Sequence, residues 1–231
     1  METPMSVTLK PLVVQLGGVL AVFALALFVS AGTLAWPAGW IFLGLFLGFA
    51  LALFAWLYRH DFGLFQERLR LGTSDQQPWD KVLFPLLQAC LLVWLMVMGM
   101  DAVRLHWSAL PRWLQGLGAV ILLGSFWLFF LTFRENSFLS PVVRIQADRG
   151  QTVISTGPYH VVRHPMYSAI LVFMIGTSLL LASGYGLLVG SLGIAVLARR
   201  AVLEERVLIK ELADYRAYQT QVKYRFLPYL W

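Results

Sequence analysis

Apolar residues in this chain fall into long runs with almost no charge. Six such stretches cover residues 12–30, 39–58, 82–103, 113–133, 166–182 and 186–198. A helix crossing a hydrocarbon layer ~30 Å thick needs ~20 residues of this kind. The pattern therefore predicts an all-α integral membrane protein of about six transmembrane helices. The first four runs have ordinary spanning length. The last two are short and separated only by Ser183, Gly184 and Tyr185, which predicts a tight helical hairpin. If that hairpin is one re-entrant element, the count falls to five.

Three polar segments interrupt the runs, at 59–81, 134–165 and 199–231. The last is expected to carry a helix out of the membrane to about Val222, because Leu208, Leu212, Tyr215 and Tyr218 recur at helical spacing. Pro228 ends any regular structure there. The chain thus divides into spans one to four, residues 1–135, and a region of loop, hairpin and tail, residues 136–231.

Charge supports this count. Six crossings place both termini on one side, and of the 18 basic residues all but Arg104 and Arg112 fall on that side. Such a bias predicts a cytoplasmic location for both termini. Trp36, Trp40, Trp107 and Trp113 stand at span ends, where aromatic belts form. The first run follows Lys10 in the manner of a signal peptide. It lacks a small-residue cleavage site and another span follows at once, so a retained helix is expected. The net charge of +6 is then a topology signal, and no nucleic-acid partner is expected.

Composition closes off other classes. The chain is 59% hydrophobic and 13% charged, against about 25% charged in soluble domains, so no large soluble domain fits beside the spans. The single cysteine, Cys90, excludes an intramolecular disulfide and sits in an apolar run as a small buried residue would. His160 and His164 are four apart, but no cysteine or carboxylate cluster accompanies them and no metal site is expected. Asp101 and Arg104, at the outer end of the third span, read as a structural pair. P-loop, dinucleotide-binding and nucleophile-elbow signatures are absent.

The chemistry gathers in two places. Thr156-Gly157-Pro158 is a turn signal, and Arg163-His164-Pro165 stands where the fifth run begins. Proline suits the first helical position, so His164 falls near the N-cap and Tyr167 points inward from the first turn. After the hairpin, Arg200 and Glu204 lie one helical turn apart, within pairing distance, followed by Glu205. The hairpin returns both regions to one membrane face. Taken separately, each reads as a capped helix end or a surface ion pair. Together they put ionisable groups at the mouth of a bundle, where such groups mark function.

These motifs, in this order, resemble the isoprenylcysteine carboxyl methyltransferase family. The matching stretch is 136–231. It contains Val143-Arg144-Ile145-Gln146, Thr156-Gly157-Pro158-Tyr159, Arg163-His164-Pro165-Met166-Tyr167, Arg200 with Glu204-Glu205, Tyr215 with Tyr218, then Val222 and Pro228. Glu67-Arg68-Leu69-Arg70 with Trp79-Asp80-Lys81 also looks like bacterial members, so the expected setting is a bacterial inner membrane. The resemblance implies S-adenosyl-L-methionine as cofactor, held in a cleft at the cytoplasmic face. By motif position its contacts are Gln146, Gln151, Thr152, Val153, Ile154, Tyr159, His164, Pro165, Met166, Tyr167 and Glu204. Gln151 stands where better-studied members carry His. Arg200 occupies the position of the family's substrate-contacting arginine.

The implied donor carries a sulfonium and an amino-acid end. Glu204 is expected to hold the amine, and backbone N–H groups near His164 to meet the carboxylate. A carboxylate acceptor needs an arginine to orient it, for which Arg200 and Arg163 are candidates. An amine acceptor needs a proton acceptor, for which Glu205 or His164 is available. The expected partner is a lipidic or prenylated substrate entering from membrane lipid. Relatives with the same signature methylate phospholipid amines, so the motif specifies the cofactor better than the acceptor. The competing readings are a non-catalytic membrane protein, which predicts no cofactor binding, and a nicotinamide-dependent reductase, which predicts binding of NADPH.

Overall fold

The computed structural model describes residues 4–70 and 75–231, with side chains from Lys10 onward; residues 71–74 of the first polar segment lie outside the described residues. All the regular structure of the described residues is helical. α1 (Pro4–Ala31), α2 (Pro37–His60), α4 (Asp80–Gly99), α5 (Arg112–Glu135) and α7 (Gly184–Glu211) are the long elements. Each contains a segment long and apolar enough to cross a membrane. α3 (Phe62–Leu69) and α8 (Tyr215–Gln221) are short. α6 (Pro165–Leu180) is apolar but has only 16 residues, about 24 Å at 1.5 Å per residue. The expected six spans are therefore five long ones and a shorter sixth element, joined to α7 by the hairpin.

Glycine sets the closest helix contact. α6 packs most extensively on α5. A Cβ at Gly176 would lie 2.6 Å from the Leu122 backbone nitrogen, and one at Gly118 would run into the Leu180 backbone nitrogen. Only residues without a side chain allow the two backbones this near, the usual device where helices meet in lipid. Phe23, Phe42, Trp94, Leu122, Phe126 and Phe173 fill the space between α1, α2, α4, α5 and α6.

At the face opposite the basic one, a π-helical turn (Met100–Arg104) closes α4. Asp101 is buried there, but it does not pair with Arg104 as expected from the sequence. Its Oδ2 accepts from the hydroxyls of Ser183 at 2.6 Å and Ser108 at 2.9 Å and from the Tyr185 amide at 3.1 Å. These are the cap of the hairpin turn, which a carboxylate satisfies better than a surface pair would. Arg104 instead lies against Gly32.

The tail also departs from expectation. The helix ends at Glu211, and Leu212 adopts φ −114°, ψ 112°. The break lets α8 fold back, so that Tyr215, Tyr218 and Val222 pack against Val153 and Leu208. Helical spacing was present in the sequence, but burying those tyrosines on the loop outweighs continuing α7 as about three more turns of exposed helix.

Candidate active site

The loop between α5 and α6 has only two short 3-10 turns, Ala147–Arg149 and Gly157–His160. Without a regular ladder it must be held by side chains. Arg144 is the main fastening. Its side chain is 3% exposed and bonds both oxygens of Glu67 on α3, at 3.0 and 2.8 Å, with Asp75 at 2.8 Å. Burial raises the Glu67 carboxyl, but the Arg144 hydrogen bonds and charge outweigh it and hold Glu67 below its ordinary value.

A second fastening is the C-terminal segment. Arg163 and His164 donate their amides to the carbonyls of Tyr224 and Arg225 at 2.9 and 2.7 Å. The Arg163 guanidinium bonds Glu205 at 2.7 Å and the Val222 and Lys223 carbonyls at 2.7 and 2.8 Å. Glu205 also receives Arg225 at 3.0 Å and lies 3.3 Å from His164 Nε2. The start of α6, the middle of α7 and the tail are thereby locked into one corner.

Beside that corner lies a cavity of about 550 Å³. It follows α7 from Leu208 to Val189, about 28 Å of helix. One end is polar, bounded by residues 151–154, Tyr159, His164, Tyr167 and Glu204. The other runs into the bundle among Phe46, Phe49, Phe126, Phe129 and Phe173. A volume of this size is typical of small-molecule sites, which span ~300–1,000 Å³.

A hydrogen-bonded chain crosses the polar end. Asp80, at the start of α4, is fully buried. It accepts from Arg200 Nε at 2.8 Å and from the Val143 amide at 2.8 Å. Arg200 also reaches the Pro141 carbonyl at 2.9 Å and Tyr167 Oη at 3.3 Å. Tyr167 donates to Glu204 at 2.7 Å. Arg200 and Glu204 therefore do not form the i,i+4 pair that their spacing allows. The bidentate geometry of Asp80 takes the guanidinium, and Glu204, with a side chain 26% exposed, keeps one oxygen for the cavity.

Most residues proposed from the sequence line this cavity: Gln151, Thr152, Val153, Ile154, Tyr159, Arg163, His164, Met166, Tyr167, Arg200 and Glu204. Three do not. Gln146 is spent inside the loop, donating its amide to Gln151 and its side chain to the Phe138 carbonyl while accepting from Arg149. Pro165 is buried at the first position of α6. Glu205 is surrounded by Arg163, His164 and Arg225, which removes it as a free proton acceptor. The amides of Arg163 and His164 are likewise taken by the tail, so they cannot meet a ligand carboxylate.

The sequence reading missed Asp80, Asn136 and the two tail tyrosines as parts of the site. Asn136 donates to Tyr159 Oη at 2.8 Å, and Tyr218 donates to the Tyr159 carbonyl at 2.6 Å. Burial pushes the Tyr159, Tyr215 and Tyr218 hydroxyls upward, so each stays a neutral donor. Asp80 carried a usable signal, an acid at the very start of an apolar run.

These residues can hold a zwitterionic cofactor. Glu204 offers a carboxylate at the polar end, and Tyr215 lines the cavity with a buried hydroxyl that has no partner among the described residues. A bound polar group would satisfy that hydroxyl. A model of the family described as phospholipid methyltransferase matches residues 113–214. The matched stretch carries α5, the loop and the hairpin, and the similarity indicates a membrane methyltransferase. No curated protein matches the chain.

Proposed function

We propose that this protein transfers a methyl group from S-adenosylmethionine to a lipidic acceptor, most simply the carboxylate of a prenylated cysteine or a similar lipidic acid. The observation that supports the reading is the cavity itself, which joins a polar end built on α6, α7 and the loop to an aromatic channel inside the bundle. The cofactor supplies the electrophilic methyl on its sulfonium. Glu204 binds the amino end, and the 151–154 segment and Tyr159 wall the polar end against water. Transfer is an in-line displacement, so alignment and exclusion of water provide most of the acceleration. The channel receives the hydrocarbon chain, which explains why such an enzyme stands in a membrane.

A carboxylate is already ionised at neutral pH and needs no base, which fits a site whose Glu205 is fully engaged. A second reading, methylation of a phospholipid amine, is favoured by the family match. It requires a proton acceptor, and His164 is the candidate: its Nε2 faces Glu205, and its Nδ1 lies 3.9 Å from Glu204.

Calorimetric titration with S-adenosylhomocysteine tests the cofactor. Wild type should bind saturably, and Glu204→Gln should bind about 10- to 100-fold more weakly, the worth of a charge-assisted hydrogen bond. A folded wild type that does not bind would reject the reading. Radiolabelled methyl transfer to a prenylcysteine and to phosphatidylethanolamine then separates the two acceptors.

A further inference from the structure

Three buried arginines at the site have carboxylate partners: Arg144 with Glu67, Arg163 with Glu205 and Arg200 with Asp80. Arg68 has none. It stands in the last turn of α3 and its side chain lines the cavity. Neighbouring Glu67 is turned away to Arg144 and Arg70. Among the described residues the only side-chain partner of the Arg68 guanidinium is the Phe133 ring, 5.1 Å away. Burial lowers this guanidinium to about 10; Glu67 works against the fall and Arg200 adds to it. Two cations thus face the same space, one neutralised and one not. A partly desolvated charge without a counter-charge carries a cost, and a ligand anion would reduce it.

The position of Phe133 gives the direction of such a ligand. Phe129 and Phe126 lie one and two turns further along the same face of α5, and both line the cavity. Phe126 stacks on Phe49 at 4.5 Å. A molecule with its anion at Arg68 would therefore lay its hydrocarbon chain along this aromatic row.

We propose that Arg68 is the receptor for an oxyanion carried by the lipidic acceptor, either a carboxylate or a phosphodiester. This rests on reading the cavity as the acceptor site, and it deepens that reading by assigning the acceptor's charge. Arg68 fixes the head of the acceptor, and the aromatic row fixes its tail.

The test is direct lipid binding, which needs no turnover. Purified protein in a non-ionic detergent is titrated with two matched pairs. One is an N-acetyl-S-prenylcysteine and its uncharged methyl ester. The other is a lysophosphatidylglycerol, whose phosphodiester is its only charge, and a monoacylglycerol of the same chain length. In at least one pair, wild type should prefer the anionic member by about tenfold or more. The pair that shows the preference identifies carboxylate or phosphodiester as the source. Arg68→Gln should reduce the preference to within about twofold, and Arg68→Lys, which keeps the charge without the planar fork, should retain part of it. S-adenosylhomocysteine affinity, unchanged in both variants, certifies the fold. Equal binding of both members of both pairs by wild type would overturn the proposal, as would an undiminished preference in Arg68→Gln. Failure of the methyltransferase reading would show separately, as absent S-adenosylhomocysteine binding by wild type.

Discussion

At Arg200 a structural role and a proposed chemical one can be separated by experiment. Its guanidinium is held by Asp80, and its Nη1 reaches Tyr167, which in turn bonds Glu204. Removing either member of a buried ion pair strands the other and costs about 3–5 kcal/mol. Asp80→Ala and Arg200→Ala should therefore each lower the melting temperature in detergent. Removing both should restore much of the loss, since no lone charge remains. Turnover should behave differently. If Arg200 orients the acceptor, the double variant stays slow while its S-adenosylhomocysteine affinity remains near wild type. Recovery of turnover together with stability would show that Arg200 acts only as a structural partner of Asp80.

Among elements, α3 has a role larger than its eight residues. It is capped by Asp61, which accepts from the Leu64 amide at 2.9 Å, and it presents Glu67 to Arg144 and Arg68 to the cavity. The loop therefore reports on the protonation of Glu67. The Glu67 carboxyl is held below its ordinary value in the folded protein, so its stabilising effect is present above the unfolded value of about 4.5 and is lost as pH falls through the lowered folded value. Protease nicking of the 136–164 loop should accelerate in that acid range. In Glu67→Gln it should be fast at neutral pH and show no further acid step. An unaltered acid step in the variant would assign the effect to another carboxylate.

The same elements show how far the sequence can be read. The membrane helices were legible because the need to avoid unpaired backbone in lipid forces long apolar runs; most of their ends fall within a few residues, but α1 begins eight residues earlier and α7 continues thirteen residues past the apolar run, through charged sequence that hydropathy does not count. His164 before Pro165 and the inward Tyr167 were legible from local helix-start chemistry. Arg200 with Asp80 was not, because the partners are 120 residues apart and spacing offers only the nearer Glu204. Gln146 and Glu205 show the converse. Their residue types suit a cofactor contact and a proton acceptor respectively, but the loop and tail use up their hydrogen bonds, which no local pattern reveals.

At the scale of the whole molecule the decisive feature is polarity. The cavity's polar end, the loop, α3 and the tail all lie at the face that carries the basic residues, and the hairpin turn with Asp101 caps the other. Basic segments are retained on the cytoplasmic side during insertion, so the charge bias predicts a cytoplasmic cavity mouth, which is also what the proposed S-adenosylmethionine, a charged molecule that does not cross lipid unaided, would require. Two single-cysteine variants in a Cys90→Ala background test this. Leu34 is 67% exposed at the face opposite the basic residues, and Lys223 is exposed on the tail. In intact bacterial spheroplasts a membrane-impermeant maleimide should label Leu34→Cys and leave Lys223→Cys unmodified until the membrane is permeabilised. The reverse pattern would turn the molecule over and put the polar end of the cavity out of reach of a cytoplasmic cofactor, which would count against S-adenosylmethionine as its occupant.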